Sequence, residues 1–332
     1  MDTGPDALIA VVSFNTRTHW PRLKAALEAQ TWQRFRLIVV DNASTADQRL
    51  TSADMPAFGE LVQLEDNIGF AAANNRAFEG DAAEFFVCLN PDAFPAPDWL
   101  ERLIAAARAA PHAGAIGSLQ IAADDATLLD GAGDAFWAGG LAYRALHRRS
   151  RPAHLEAGET FSACAAAALY RADVFREAGG FDESFFCYCE DVDLGFRMRL
   201  MGRPTIQADD AVVAHVGGGS AGARSRFALF HGTRNRLWTF VKSMPWPLLI
   251  VLGPVHVAMT LFVMAWSLIR GTSGPTWDGV FQGLRGLPRV FRQRRTIQAK
   301  RRASSLEIAR ALTWSPFAVI ARTAIRRTSK PG

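Results

Sequence analysis

Five carboxylates fall within twelve positions, at Asp182, Glu183, Glu190, Asp191 and Asp193, interleaved with Phe185, Phe186 and Tyr188. A solvated acidic face does not carry aromatics in this way. From Glu190 onward the spacing turns helical, with Leu194, Arg197, Met198 and Met201 recurring at three and four. Glu190, Asp191 and Asp193 then occupy a first turn, where acids complement the helix dipole. The dipole accounts for the acids but not for the aromatics beside them. A carboxylate held in a pocket wall suits a general base, which must lie within hydrogen-bond reach of the proton it takes.

Other polar groups follow short apolar runs. Ser13-Phe14-Asn15 follows Ala7–Ser13, Asp41-Asn42-Ala43-Ser44 follows 36–40, and Asn90-Pro91-Asp92 follows Phe85–Leu89. Each group alone reads equally as a turn or a helix cap. Gathered on one sheet edge they would line a crevice. Between Asp66 and Asn75, Gly69 stands between a polar turn with Asn67 and a helical stretch with Asn74. That is either a plain strand-to-helix turn or a close approach of backbone to a phosphate or base. His215 lies after the strand-like run 211–214 and before Gly217-Gly218-Gly219-Ser220, a segment able to fold over a ligand. That placement suits a metal or phosphate contact as well as a structural histidine. No P-loop or dinucleotide-binding glycine pattern is present.

The elements that must position these groups alternate. Strands are expected at Ala7–Ser13, 36–40, 61–64 and Phe85–Leu89. Helices are expected at 19–30, 70–78 and 98–110, the last with Asp98 as N-cap. Strands separated by helices imply βαβ units and a mostly parallel sheet covered on both faces, with ligands at the carboxyl ends of its strands.

Over 332 residues, 49% hydrophobic and 21% charged residues exclude disorder, collagen and coiled coil as the main architecture. The four cysteines have no metal-ligand spacing, and Cys187-Tyr188-Cys189 is one residue too tight for CxxC. With no secretory signal after Met1, a reduced, cytosolic-facing protein is expected. Charge is divided unevenly. Residues 270–332 hold 14 Lys and Arg against Asp278 and Glu307, whereas residues 1–269 hold 23 against 30 acids. Just before this tail, Trp246–Ile269 carries no Lys, Arg, Asp or Glu, and 248–269 is long enough to cross roughly 30 Å of hydrocarbon. A crossing would send the basic tail to the far side, against the positive-inside tendency. A re-entrant or interface-lying helical pair, bent at Gly253-Pro254, keeps both parts on one side. The cluster Arg289, Arg292, Arg294, Arg295, Lys300, Arg301 and Arg302 then reads as binding anionic lipid. No aromatic platform is interleaved with these charges, which argues against nucleic acid.

Taken in order, VVSFN (11–15), VVDNAS (39–44), DNIGFAAANNRA (66–77), LNPDAF (89–94), LYRADVFREAGGFDESFFCYCEDVDLGFRMRLMG (169–202) and AHVGGGS (214–220) resemble an inverting glycosyltransferase of family 2. The likeness is to its bacterial rhamnosyltransferase-like branch and covers about residues 7–240. HGTRNRLW (231–238) and the apolar-then-basic tail look like that branch as well. The resemblance implies a GT-A fold over residues 1–240, a membrane-associating helical region over 241–332, a nucleotide-diphosphate sugar donor and direct displacement at the anomeric carbon. It also implies a divalent cation, Mn²⁺ or Mg²⁺, stabilising the departing diphosphate as a Lewis acid. Asp92 would hold it at the last position of the family's DxD signature, whose first Asp is Asn90 here. His215 would complete the shell, its imidazole favouring Mn²⁺. Asp191 matches the family's base, and Glu190 would position the acceptor. The donor would meet Ser13, Asn15, Asp41, Asn42, Asn67, Gly69, Asn74 and Asn90, with Arg197 and Arg234 on a diphosphate.

One departure bears on the donor: Cys164-Ala165-Ala166 stands where the family often has Gly-Ala, at a place that would line the sugar pocket. The expected acceptor is a glycan on a polyprenyl diphosphate or other lipid carrier at the cytoplasmic face of the plasma membrane. Two further readings stay open, a non-catalytic nucleotide-sugar binding or assembly protein and a nucleotidyltransferase. The second lacks the Gly-rich basic loop it would need after the first strand.

Overall fold

The apolar run Ala7–Ser13 forms strand β1 and is buried along its whole length. Its alternate residues part between two cores, as the two-residue period of a strand requires. Ala7, Ile9 and Val11 join one core, and Leu8, Ala10 and Val12 the other. The computed structural model describes residues 5–155, 158–217 and 225–327. In chain order the elements of the first part are β1, α1 (Trp20–Glu28), β2 (Phe35–Asp41), β3 (Gly59–Gln63), α2 (Gly69–Phe78), β4 (Phe85–Leu89), β5 (Ala93–Pro95), α3 (Trp99–Ala109) and β6 (Ala115–Ala122). Then come β7 (Leu129–Gly131), β8 (Asp134–Trp137), β9 (Leu141–Arg144), β10 (Gly158–Thr160), β11 (Ala167–Arg171), α4 (Ala172–Ala178), α5 (Glu190–Leu200) and β12 (Thr205–His215). The chain closes with α6 (Arg226–Ser243), α7 (Trp246–Ile269), α8 (Ser273–Arg285), α9 (Leu287–Ala299), α10 (Ser305–Ala311) and α11 (Pro316–Ala321).

The sheet runs β3-β2-β1-β4-β11-β6-β12-β10, with β5 on β12 and β7 on β6. β3, β2, β1 and β4 are mutually parallel, and β11 is an antiparallel insert after which β6 and β12 resume the first direction. The carboxyl ends of β1, β2, β4 and β12 therefore share one rim. One face is covered by Trp20, Leu23 and Leu27 of α1 and Leu100, Leu103 and Ile104 of α3. The other is covered by Ala73, Ala77 and Phe78 of α2, Val174 and Phe175 of α4, and Leu194 and Met198 of α5. Each large side chain buried this fully contributes about 1.5–3 kcal/mol. Asp98 takes the N-cap position of α3, but its side chain makes no capping bond and pairs with Arg102 at 3.0 Å instead.

Beyond β12 the chain is helical and packs back on the sheet domain. Phe240, Met244, Leu252, Ile308 and Leu312 share a core with Phe136, Phe161, Phe196 and Leu200. The boundary expected at residue 240 thus falls inside α6. In place of the helical pair expected about Gly253-Pro254, α7 is one continuous helix with Pro254 inside it. Pro254 and its neighbour Val255 are exposed, so the proline ring displaces nothing from the buried stripe Leu252, His256, Thr260 and Ser267. That stripe lies against the body, with His256 stacked on Phe240 at 4.0 Å and Thr260 accepting a bond from Arg236. The outer face is bare, with Ile250, Val251, Leu261 and Phe262 each more than half exposed. Only 17% of the most apolar stretch of α7 is buried, which excludes an ordinary core helix. The basic cluster is divided. Arg294 is buried and donates to the Val241 and Met244 carbonyls, and Arg302 pairs with Glu177, while Arg292 and Arg295 are exposed.

Candidate active site

The parallel rim brings the first polar groups together. Ser13 and Asp41 are register partners at the ends of β1 and β2. The buried Asp41 carboxylate accepts from the backbone of Ser44 at 2.9 Å and of Leu50 at 3.3 Å, which folds the turn after β2. Asn15, in the left-handed region, accepts from Thr45 N–H and donates its own N–H to Ser44 Oγ. Asn42 donates to Asn67 Oδ1, which also accepts from Gly69 N–H at 2.9 Å. Gly69 has φ +85°, and a Cβ there would lie 2.6 Å from the Phe186 carbonyl, so the position requires glycine. Asn74 is buried and turned back onto the Phe70 carbonyl. These residues build one linked wall at the sheet edge.

Beside it lies a cavity of about 470 Å³ lined by Asn90, His215, Glu190, Asp191, Asp134, Arg144 and Cys164, among others. β5 places Asp92 beside His215, because Ala93 pairs with His215 at the end of β12. His215 is buried. Its Nδ1 bonds Asp130 Oδ2 at 2.8 Å, and its Nε2 faces Asp92 Oδ1 at 3.3 Å without forming a hydrogen bond. Burial disfavours the charged ring, yet Asp130 and Asp92 prevail and raise the His215 pKa. This spot favours positive charge. Two ligands of one octahedral cation at about 2.1 Å lie roughly 3 Å apart, so the Asp92–His215 gap and the unpartnered Nε2 fit a shared metal ion. Among the described residues no group of three His, Cys, Asp or Glu is placed to hold a metal ion, so further ligands would be oxygens of the sugar donor or water. Asp130 in turn accepts from Arg144, whose other amine reaches Cys164 Sγ at 2.7 Å. Gly217 stands close against Asp130; residues 218–220 of the glycine-rich segment lie outside the described residues.

Asp191, the second residue of α5, has both oxygens engaged, Oδ2 accepting from Ala165 N–H at 3.1 Å and Oδ1 from Val192 N–H at 2.8 Å. Burial outweighs these bonds and raises its pKa. Burial, then the Asp191 charge, pushes Glu190 well above the carboxylate range, and Glu190 Oε2 has no hydrogen-bond partner. The turn before them is strained, since Phe186, Tyr188 and Cys189 all have positive φ. The buried Asn235 of α6 holds it by donating to the carbonyls of Phe185, Cys187 and Tyr188 at 2.8–2.9 Å.

Asp92 and the wall residues are not among those that line the cavity, and neither are Arg197 and Arg234. Arg197 is buried against Asp193 at 2.8 Å and donates to the Ala178 and Gly180 carbonyls, because α5 turns that face into the protein. Arg234 donates to the Ser184 and Phe185 carbonyls and lies over Trp238, so it braces the turn instead of facing a ligand. Asp130, Asp134, Arg144, Asn235 and Lys242 had no place in the sequence expectations. Lys242, buried, pairs with Asp182 at 2.6 Å and Asp193 at 2.8 Å and so ties α6 to α5. For Asp130 the one local signal is an acid between the apolar pair Leu128-Leu129 and Gly131.

A mostly parallel α/β sheet with this rim and cleft has the GT-A-like architecture of glycosyltransferases. The chain belongs to glycosyltransferase family 2, with residues 8–179 matching Glycosyl transferase family 2. It is 29% identical over 234 residues to the N-acetylglucosaminyl-diphospho-decaprenol L-rhamnosyltransferase of Mycobacterium tuberculosis, a match covering 62% of this chain and 75% of that one. Among solved structures it is similar to the mannosyltransferase PcManGT from Pyrobaculum calidifontis in complex with GDP-Man and Mn²⁺. The TM-score is 0.52 at 18% identity, over 93% of this chain and 87% of that one. It is also similar to GalNAc-T7 with UDP, GalNAc and Mn²⁺, with TM-score 0.57 at 12% identity over 73% of this chain. That match spans about half (48%) of the GalNAc-T7 chain. At these identities the two structures speak to the fold.

Proposed function

We propose that this glycosyltransferase moves a sugar, rhamnose or another hexose, with inversion from a nucleotide-diphosphate donor to a glycan on a polyprenyl-diphosphate carrier. The reaction would take place at the cytoplasmic face of the plasma membrane. The observation that carries the reading is the meeting of Glu190 and Asp191 with His215, 3.3 Å from Asp92, around one cavity. Asp191 takes the proton from the acceptor hydroxyl as that oxygen bonds the anomeric carbon and the carbon–diphosphate bond breaks. The Ala165 and Val192 amides aim its carboxylate, and its raised pKa makes it a stronger base than an ordinary aspartate. Glu190, whose pKa burial raises, keeps an oxygen with no partner in the protein and would position the acceptor. Asp92 and His215 would hold a divalent cation, with Asp130 fixing the imidazole, and a bound cation supplies charge stabilisation for the departing diphosphate. The wall from Ser13 to Asn74 orients the nucleoside, and Cys164 lies where the sugar would sit.

The outer face of α7 would lie along the membrane. Its inner stripe is used against the body over about four turns, which suits an interfacial helix better than a crossing one. The exposed Arg292 and Arg295 would meet anionic lipid. A donor screen tests the reading: purified protein with Mn²⁺, a prenyl-diphosphate-linked glycan and, in turn, dTDP-rhamnose, UDP-galactofuranose, UDP-glucose and GDP-mannose. Acceptor-dependent nucleotide release with one donor supports it. Release from none of them counts against the donor class.

A further inference from the structure

Among the described residues beyond α6, Arg322 alone lines the cavity that holds Glu190 and Asp191. Its place is set by the β8–β9 hairpin, since Leu146 N–H donates to the Arg322 carbonyl at 2.7 Å and Tyr143 Oη to the Thr323 carbonyl at 3.1 Å. Arg322 ends α11 in the left-handed region, with φ 56°, where backbone sterics favour glycine. A long cationic side chain is nevertheless kept there.

Two further arginines lie near it. Burial and the neighbouring Arg144 and Arg149 guanidinium groups hold Arg322 below the ordinary arginine range. No carboxylate among the described residues pairs with it, whereas Arg144 has Asp130. His147 also lines the cavity and donates through Nδ1 to the Asp130 carbonyl at 2.8 Å. Arg322, half-buried and without a carboxylate partner, is thus left able to pair with an incoming anion. Immediately before Arg322 the chain turns apolar and outward, with Phe317 and Ile320 each 76% exposed and Trp314 55% exposed. An unpaired guanidinium in the cavity wall beside a bare apolar ridge matches an anionic head joined to an apolar chain.

We infer that Arg322, backed by Arg144 and His147, binds the phosphate of a prenyl-phosphate-linked acceptor, whose apolar chain leaves over Trp314, Phe317 and Ile320. This rests on the reading that Asp191 deprotonates a lipid-linked acceptor. It adds where that acceptor's phosphate is read, and it brings the C-terminal segment into the active site. A phosphate held through a charge-assisted bidentate guanidinium contact is sensitive to loss of charge and less so to exchange for lysine.

The test is equilibrium binding to the full-length protein with UDP and Mn²⁺ in excess, so that the donor's diphosphate position is filled. The probes are farnesyl diphosphate, inorganic diphosphate and farnesol. Farnesyl diphosphate should bind at least tenfold more tightly than either of the others. Arg322→Gln should weaken it about tenfold and Arg322→Lys about threefold. Phe317→Asp, at an exposed position that does not threaten folding, should weaken farnesyl diphosphate and leave inorganic diphosphate unchanged. Equal affinity for inorganic and farnesyl diphosphate, or farnesyl diphosphate binding untouched by Phe317→Asp or by a folded Arg322→Gln, overturns the subsite. Because binding is read without sugar transfer, the two claims separate. Arg322-dependent binding with no transfer from any donor would remove the transferase reading alone. Transfer to a phosphate-bearing acceptor at wild-type KM in Arg322→Gln would remove the subsite alone.

Discussion

Asp191 gains its character from opposed influences. Burial raises its pKa, while the Ala165 and Val192 amides and the Arg144 charge pull it down, and burial wins. A base must be deprotonated to act, so activity is present above the raised pKa and is lost as pH falls through it. The acid limb of kcat/KM should therefore lie above the roughly 3.9 of a free aspartate. A limb at or below that value in a pH–rate profile contradicts the assignment. At the proposed metal pair, Asp130 fixes which His215 nitrogen is free, as carboxylates behind metal-binding histidines generally do. Asp130→Asn should weaken Mn²⁺ binding, followed by electron paramagnetic resonance in the presence of UDP, by about 10–100-fold. Unchanged affinity would leave Asp130 a purely structural residue. Asp191 and His215 could be located from sequence because each sits in a short motif beside an apolar run. Asp130, which is 85 residues from His215, could not, since no local periodicity encodes a contact between distant strands.

At the scale of elements, Asp191, the proposed base, follows a strained turn clamped from α6. Three non-glycine residues with positive φ within four positions cost about 1–3 kcal/mol each, and Asn235 offsets part of this with bonds to three carbonyls. Asn235→Ala should lower stability by about 1–3 kcal/mol in urea unfolding and reduce kcat more than donor KM. A variant with wild-type kcat would show that the turn holds itself. Lys242→Met leaves Asp182 and Asp193 without their shared cation, and should cost about 3–5 kcal/mol in the same measurement. The strands of the rim were legible because parallel strands buried on both faces read as unbroken apolar runs, as Ala7–Ser13 does. Arg197 and Arg234 were misplaced for a physical reason: their spacing on a helix says nothing about which face looks into a cleft. In the structure both are spent on backbone carbonyls.

Over the whole molecule, the expected division into a catalytic part and a membrane-associating part is blurred by packing. Arg302 and Ala303 donate their N–H groups to the Leu200 carbonyl at the end of α5, and Thr313 bonds Phe136. Removing residues 241–332 would open the core around Phe196 and Leu200, so it cannot test membrane attachment cleanly. Ile250→Glu with Leu261→Glu, at positions 70% and 60% exposed, can. The double variant should keep its melting temperature and lose binding to anionic vesicles in a sedimentation assay, and undiminished binding would rule out α7 as the contact. Composition located the apolar helix, but the use of one stripe of it against the body depends on His256, Thr260 and their distant partners.

The most direct test of the central claim is proton NMR of the product formed by wild-type protein and by Asp191→Asn with Mn²⁺, the active donor and the lipid-linked acceptor. The account predicts an anomeric configuration opposite to that of the donor for the wild type. It predicts at least a 10²-fold slower reaction from a folded Asp191→Asn. Retained configuration, or turnover by Asp191→Asn at the wild-type rate, would contradict it.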